Sequence, residues 1–170
     1  MTRMRIAFAL CGAMLAISLG GCRQHRPPPP PDTGKVAAEV ESDARKVVAD
    51  YNAKDPAQAA SHDAEGYVGL YAGSPNTVGA DADRASMTQQ MQDPALHFGL
   101  TGQETTTVSR SGDMAVFESG YTFTTTDPSS GNPTTESGTW VAIDRRQDSG
   151  AMQLWRSILV AGPKAGAPQV

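Results

Sequence analysis

The chain is poor in cysteine, and this scarcity excludes several kinds of chemistry. Cys11 and Cys22 are the only two cysteines among 170 residues, and both lie near the N-terminus. The sequence beyond them has no thiol, which excludes a disulfide framework, a cysteine nucleophile and a cysteine metal site there. The three histidines, His25, His62 and His97, do not have the spacing of a metal site. We therefore predict neither a metal nor a cofactor.

Positive charge is also scarce. The net charge is −4 at pH 7, and loss of Arg3 and Arg5 with a cleaved leader would make it −6. An acidic surface does not attract phosphates, so we predict that nucleic acid is not a partner. The chain has no glycine-rich phosphate loop, no Gly-x-Ser-x-Gly motif and no calcium loop. None of these common sites can be assigned.

Long apolar runs are limited to one, near the N-terminus. The run over residues 6–19 follows a basic start and is too short to span a bilayer as a stable helix, which is typical of an export signal. It ends in Leu19-Gly20-Gly21-Cys22, which resembles the lipobox of bacterial lipoproteins. We predict that residues 1–21 are a lipoprotein signal peptide and that Cys22 carries the lipid, with acyl chains such as palmitate. An ordinary signal peptide with a chance cysteine is the alternative.

The residues after Cys22 bear on location. Position 23 is Arg, whereas Asp there favours retention in the inner membrane under the usual Gram-negative sorting rule. We therefore predict an exported protein, lipid-anchored to the cell envelope at the outer membrane and facing the periplasm. Residues 27–31 are all proline and favour a polyproline II conformation, so residues 22–34 are predicted to be a stiff tether. A proline-rich ligand for a partner is the alternative.

The remaining chain divides into a domain over residues 35–161 and a short tail over residues 162–170, which we expect to be disordered. Hydrophobic spacing in the first half of the domain is helical, and Asp55-Pro56 is typical of an N-cap followed by proline in the first turn. The predicted elements are a helix over residues 36–52, a short helix to about residue 61, a strand over residues 67–72, and a helix over residues 80–92 capped by Asp81 or Asp83.

From His97 onward the hydrophobic period changes to two, which is typical of strands. Thr, Val, Ile and aromatic residues fill four segments, and turn sequences rich in Gly, Asp and Ser separate them. The predicted strands cover residues 104–109, 114–126, 135–145 and 152–160. Helices followed by long strands predict an α+β domain, with three N-terminal helices packed on an antiparallel meander.

Several short motifs in this framework resemble one superfamily. Their order and spacing are similar to those of nuclear-transport-factor-2-like proteins, in particular the SnoaL-like and ketosteroid-isomerase-like branch with its exported domains of unknown function. The resemblance covers residues 36–159. It implies a strongly curved sheet that encloses a cone-shaped cavity with the helices, and a homodimer formed through the sheet. The motifs are Tyr51-Asn52-Ala53-Lys54-Asp55, His62-Asp63-Ala64, residues 111–116, Gly138-Thr139-Trp140 and residues 145–150.

The resemblance permits a residue-by-residue test for catalysis. In ketosteroid isomerases a tyrosine donates a hydrogen bond to the oxyanion, and its position falls on Val47 here. The aspartate base falls on Val68 or Gly69, and the protonated aspartate falls on Ala142. None of these side chains can transfer a proton or donate a hydrogen bond. The resemblance therefore favours a domain that is not an enzyme.

Two other positions are weak catalytic candidates. His62 beside Asp63 could form a base with an orienting carboxylate. Adjacent strand residues point in opposite directions and this pair lies in a turn, so an exposed or capping role is favoured. His97 begins a strand and could line a cavity, with a hydrogen-bonded core residue as the alternative.

A candidate pocket follows from residues that alternation places on one face of a strand. Aromatic rings with a few hydroxyl groups suit a small hydrophobic ligand, although core packing is the simpler interpretation of any single member. The candidate pocket residues are Tyr51, Tyr67, Tyr71, His97, Phe117, Tyr121, Trp140 and Trp155.

The sequence therefore supports two functional hypotheses. The favoured one is a membrane-tethered envelope lipoprotein with a non-catalytic domain for small-molecule binding or assembly. The alternative is a SnoaL-like enzyme of the isomerase, cyclase or hydrolase type that acts on a small hydrophobic carbonyl compound. A structural dimer with a collapsed cavity is a third possibility.

The predicted lipid anchor can be tested by removing the sulfur atom of Cys22. Cys22→Ala removes the sulfur to which the lipid is attached, so we expect the variant to lose both incorporation of a palmitate analogue and cleavage after Gly21. Metabolic labelling and intact-mass measurement follow the two events. Arg23→Ala, which keeps the cysteine, is the control. A labelled Cys22→Ala protein would show that the prediction is wrong.

Overall fold

The computed structural model describes residues 30–162 of the chain. The predicted signal peptide, Cys22 and most of the predicted tether lie outside this range, as do residues 163–170. Within the described range, no helix has both the length and the apolar character needed to cross a membrane.

The described residues confirm the α+β class and form three helices and six strands. The third helix follows the predicted first strand, and a short strand that was not predicted lies between them. The elements are α1 (Thr33–Asn52), α2 (Pro56–Ala60), β1 (Asp63–Tyr71), β2 (Thr77–Val78), α3 (Ala80–Gln90), β3 (His97–Val108), β4 (Met114–Thr126), β5 (Pro133–Arg146) and β6 (Met152–Ala161).

The six strands form one open, curved sheet in the order β2-β1-β6-β5-β4-β3. Strands β3 to β6 are the predicted antiparallel meander. Strand β1 pairs with β6 in parallel, so the prediction of a wholly antiparallel sheet was wrong. Hairpin turns between neighbouring segments determine the direction of the meander, whereas β1 reaches β6 only after the chain has passed through α3 and four strands.

Capping determines where the helices begin. Helix α1 starts at Thr33 because the Asp32 side chain accepts a hydrogen bond from the Lys35 N–H, so Thr33 and Gly34 belong to the helix and not to the predicted tether. Asp55 caps α2 as predicted. Helix α3 has Gly79 at its N-cap without a side-chain hydrogen bond, so neither Asp81 nor Asp83 is the cap. The buried face of α1 consists of Val36, Val40, Ala44, Val47 and Tyr51.

Two irregularities change which strand residues face inward. Strand β1 begins four residues earlier than predicted, and its pairing with β6 shifts between Asp63 and Val68, next to Gly66 with its φ of 74°. On β6, Leu154 pairs with Asp144 and Arg156 pairs with Ile143, which leaves Trp155 as an extra bulged residue. A bulge interrupts the alternation of faces, so a period-two argument fails beyond it.

Edge-to-face aromatic packing centres on Phe98. Its ring lies 5.6 to 6.2 Å from four other rings and joins α1, β4 and β5 through one side chain. The four rings belong to Tyr51, Tyr121, Phe123 and Trp140.

Asn52 fastens the end of α1 to the start of β3. Its Nδ2 donates to the Phe98 carbonyl at 2.7 Å, and its Oδ1 accepts from the Phe98 N–H at 2.8 Å. The amide therefore pairs with one backbone residue in the way that a neighbouring strand would. This contact gives a structural role to the asparagine of the Tyr51–Asp55 motif.

We expect Asn52→Ala to lower the free energy of unfolding by about 2 kcal/mol, because it leaves two backbone groups of Phe98 without partners. Urea denaturation measures the change. Asn76→Ala, in an exposed turn, is the control and should change stability by less than about 0.5 kcal/mol. Equal stability of the two variants would contradict this role for Asn52.

Candidate functional site

A cavity of about 320 Å³ lies between the helices and the concave face of the sheet. This volume is at the lower end of the range for ligand pockets, which is about 300 to 1,000 Å³. Most of the walls are apolar, and several carboxyl and hydroxyl groups interrupt them. The lining residues are Val47, Tyr51, Ala59, Asp63, Tyr67, Tyr71, Ala72, Ser74, Asp83, Met87, Gln90, Phe98, Phe123, Glu136, Trp140, Leu154, Ser157, Leu159 and Ala161.

The structure brings half of the predicted pocket residues together. Tyr51, Tyr67, Tyr71 and Trp140 line the cavity. Phe117 and Tyr121 are fully buried behind its wall: the Phe117 ring packs against Trp140, and the Tyr121 hydroxyl donates to the carboxylate of Glu136 at 2.5 Å. These two residues support the wall and do not face the space.

His97 and Trp155 do not reach the cavity. His97 begins β3, at the edge of the sheet, and is exposed, so it is neither a cavity residue nor a core residue. Trp155 is the bulged residue of β6, and its ring lies against the guanidinium groups of Arg145 and Arg156, at 5.2 and 3.7 Å from the ring centroid. The predicted inward face of Trp155 was wrong because the bulge interrupts the alternation of β6.

Asp63 faces the cavity. Its side chain is buried, and neither carboxyl oxygen has a hydrogen-bond partner among the described residues. The pKa of Asp63 is raised to about 8. Burial is the main cause, the charge of Asp83 acts in the same direction, and the charge of His62 opposes the shift. The predicted exposed or capping role was therefore wrong for this residue.

Asp83 on α3 supplies a second buried carboxyl group. It is 2% exposed, and its Oδ2 has no hydrogen-bond partner within the described chain. Burial raises its pKa to about 6, and a hydrogen bond from Tyr67 opposes the shift. From the sequence, Asp83 was predicted only as a possible N-cap of α3. Its spacing from Met87 and Met91, both buried, puts it on the apolar face of α3, and this was the signal that could have found it.

Three tyrosines place hydroxyl groups at the same cavity. The hydroxyls of Tyr67 and Tyr71 are 3.0 Å apart, and the Tyr51 hydroxyl donates to the Gln90 side chain. Burial raises the pKa of all three, to about 12 for Tyr71. They therefore remain protonated at neutral pH and can donate hydrogen bonds.

His62 is held outside the cavity. Its Nδ1 lies 2.9 Å from Asp43 and its Nε2 lies 2.9 Å from Asp50, so the ring bridges two carboxylates of α1. These contacts outweigh burial and raise the pKa of His62 to about 9. Because a carboxylate only accepts hydrogen bonds, the ring donates from both nitrogens as an imidazolium. These two contacts hold the start of β1 against α1. Both ring nitrogens are engaged in them, so neither is available for a reaction in the cavity.

The positions transferred from ketosteroid isomerases carry no chemistry in the structure. Val47 lines the cavity as an apolar wall, Val68 pairs with β2, Gly69 lies beneath the Tyr71 ring, and Ala142 is buried. Within residues 30–162, no three His, Asp or Glu side chains are grouped so as to hold a metal ion. The reactive groups of the cavity are therefore carboxyl and hydroxyl groups from other positions.

Comparison with known proteins identifies the fold. No protein-family model and no curated protein matches the chain. Among solved structures, a ketosteroid isomerase-like protein from Erwinia carotovora atroseptica matches with a TM-score of 0.63 and 20% identity, over 75% of this chain and 97% of that one. A nuclear transport factor 2-like superfamily protein from Salmonella enterica serovar Typhimurium matches with a TM-score of 0.66 and 13% identity, over 81% and 99%.

A third solved structure, from Streptomyces avermitilis, is described provisionally as a dehydratase of the same family. It matches with a TM-score of 0.61 and 17% identity, over 75% of this chain and 98% of that one. Identities this low establish the fold alone. The chain therefore has the nuclear-transport-factor-2-like fold, which confirms the predicted resemblance at that level.

The raised pKa of Asp63 predicts a pH-dependent stability. The folded carboxyl keeps its proton up to about pH 8, whereas its ordinary pKa is 3.8, so the folded state loses stability as the pH rises between these values. An asparagine at this position does not titrate. We compare the free energy of unfolding of Asp63→Asn with that of wild type at each pH. This difference should shift in favour of the variant by about 2 kcal/mol between pH 4 and pH 8, a figure that allows for partial solvation of the carboxyl group.

Chemical denaturation at the two pH values measures this change. Asp81→Asn, an exposed position of α3, is the control for substitution of a carboxylate by an amide. The same difference from wild type at both pH values would show that Asp63 does not titrate in this window.

Proposed function

We propose that the domain binds a small, mostly apolar molecule in the cavity and transfers a proton on it through Asp63 and Asp83. One observation carries this proposal: two buried carboxyl groups with unpartnered oxygens face an apolar cavity large enough for a ligand. Burial of an unpaired carboxylate destabilises a fold by several kcal/mol. Groups with pKa values shifted in this way are concentrated at functional sites.

The two carboxyl groups divide the roles of acid and base. With a pKa of about 8, Asp63 holds its proton at neutral pH and can act as the acid. With a pKa of about 6, Asp83 is mostly ionised and can act as the base. The Tyr67 and Tyr71 hydroxyls are hydrogen-bonded to each other, so one hydroxyl of the pair can donate to an oxygen that gains negative charge.

This arrangement suits a reaction at a carbon next to a carbonyl group. Asp83 removes a proton from that carbon, and a tyrosine hydroxyl stabilises the enolate oxygen. In an isomerisation the proton returns at another carbon. In a dehydration Asp63 protonates the departing hydroxyl, which leaves as water. The similarity to an isomerase-like protein and to a provisional dehydratase supports this class of reaction, although their identities of 20% and 17% do not transfer it.

The cavity also changes the balance between the two hypotheses drawn from the sequence. The non-catalytic hypothesis was favoured because Val47, Val68 or Gly69, and Ala142 cannot transfer protons. Asp63 and Asp83 provide that capacity from other positions. A purely binding domain would use the same cavity and would differ only in turnover.

We further propose that Cys22 anchors this domain to the envelope through its lipid, facing the periplasm at the outer membrane. The Leu19–Cys22 motif and the proline run 27–31 support this location. A homodimer formed through the sheet is also proposed, on the resemblance alone.

Deuterium exchange tests proton transfer without knowledge of the natural substrate. The full chain is incubated in D₂O with cyclohexanone or acetophenone, and NMR follows deuteration of the carbon next to the carbonyl. We expect exchange above the buffer rate, and a loss of about 100-fold or more for Asp83→Asn. The rate should rise with pH through about 6, as Asp83 ionises and becomes able to accept the proton.

Asp144→Asn is the matched control. Asp144 is also a buried carboxyl group with a raised pKa, about 7, but it does not line the cavity. This variant should keep the wild-type exchange rate. Ketones that bind without any exchange would overturn the proton-transfer proposal and leave a binding domain.

A further inference from the structure

The cavity is acidic as well as apolar. Asp63 and Asp83 are buried in its wall, and Glu136 contributes a third carboxyl group. Among the described residues that line it, none is Lys, Arg or His. The nearest histidine along the chain, His62, is committed to Asp43 and Asp50 outside the cavity. A ligand in this space therefore meets negative charge without a compensating cation from the wall.

The apolar part of the wall is aromatic. Six rings line the cavity, and the faces of aromatic rings attract organic cations. The face of such a ring accepts a neutral or positively charged group better than an anion. The rings belong to Tyr51, Tyr67, Tyr71, Phe98, Phe123 and Trp140.

We propose that the molecule this cavity takes is an apolar amine that enters as an ammonium cation and pairs with the carboxylate of Asp63 or Asp83. The ammonium supplies hydrogen-bond donors to carboxyl oxygens that have none within the described chain. The carboxyl group that is not paired remains available for proton transfer. This inference rests on the proposed ligand-binding role of the cavity and narrows its substrate class.

The alternative charges fit less well. A carboxylate or phosphate ligand would lie beside ionised Asp83, and beside Asp63 once that group loses its proton, so repulsion between like charges would oppose binding. A neutral ligand fills the apolar space but leaves at least one carboxyl group without a charged partner. A cation avoids both costs.

The pairing also predicts how binding depends on pH. Asp63 is largely protonated at neutral pH, and an ammonium beside it stabilises the ionised form, so binding releases a proton. Affinity should rise as the pH increases from about 6 to about 8. Across this window the amine stays charged, since its ordinary pKa is near 10.

The other titratable groups around the pair do not reproduce this dependence. Tyr51 faces the pair from α1, and Tyr67 and Tyr71 face it from β1. The pKa of each lies above the window, so all three stay neutral. His62, with a pKa of about 9, stays charged. Glu136 lines the same cavity from β5, and Glu136→Gln tests its contribution.

Three probes that differ only in charge test the proposal. These are 2-phenylethylamine, 2-phenylethanol and phenylacetate, which carry a positive, a neutral and a negative group on the same apolar body. Isothermal titration of the full chain measures each affinity between about pH 6 and pH 8. We expect the amine to bind at least tenfold more tightly than the alcohol at pH 8, with phenylacetate the weakest. The preference for the amine should increase with pH, and buffers of different ionisation heat should reveal proton release.

The variants use the ratio of amine to alcohol affinity as their readout, because a general loss of folding would lower both affinities together. Asp63→Asn and Asp83→Asn should each reduce this ratio about tenfold. Asp144→Asn, outside the cavity, should leave it unchanged. Glu136→Gln should reduce it less than either aspartate variant, because Glu136 is exposed.

The outcomes separate this inference from the proposed function. If the alcohol binds as tightly as the amine, and the ketones bind and exchange deuterium, the amine proposal alone would be overturned. A preference that survives both aspartate substitutions would also overturn it. Failure of all three probes to bind, together with no ketone exchange, would overturn both. An amine preference without ketone exchange would support the ligand class and overturn only the proton-transfer role.

Discussion

The burial of Asp63 and Asp83 in an apolar wall is the constraint on which the candidate site depends. A carboxyl group in such a place resists ionisation, and the repulsion between two neighbouring carboxylates strengthens that resistance. The result is two carboxyl groups with different pKa values in the wall of one cavity. The same burial that weakens the fold raises the pKa of both carboxyl groups, so the surrounding structure has to hold both side chains in place without neutralising them.

Contacts outside the cavity provide that support. The imidazolium of His62 joins two carboxylates of α1 directly before the chain enters β1 at Asp63. Asn52 fixes the other end of α1 to the strand that carries Phe98, whose ring packs against rings from three elements. The polar contacts are therefore satisfied on the outer side of the cavity, and the two carboxyl groups on the inner side are left for a ligand. This separation explains why His62, although adjacent to Asp63, takes no part in the site.

The positions transferred from the resembling family do not include the two buried carboxyl groups of the cavity. Val47 and Ala142 carry no reactive group in the structure, as the alignment indicated. The alignment could not show that α3 turns Asp83 toward the same cavity, because that depends on how the helix packs after β2. The sequence predicted that Asp63 lies in a turn with an exposed or capping role. Its inward direction depends on the irregular β1, with its bulge beside Gly66.

The sequence by itself determined the α+β class, the meander from β3 to β6, the capped start of α2 and the aromatic character of the pocket. These follow from local periodicity and turn chemistry, which act between residues close together in the chain. Only the tertiary structure decided the parallel pairing of β1 with β6, the outward position of Trp155, the exposure of His97 and the burial of Asp63 and Asp83. Each of these depends on contacts between distant segments or on a bulge, and a bulge reverses the direction of a side chain without changing the composition around it.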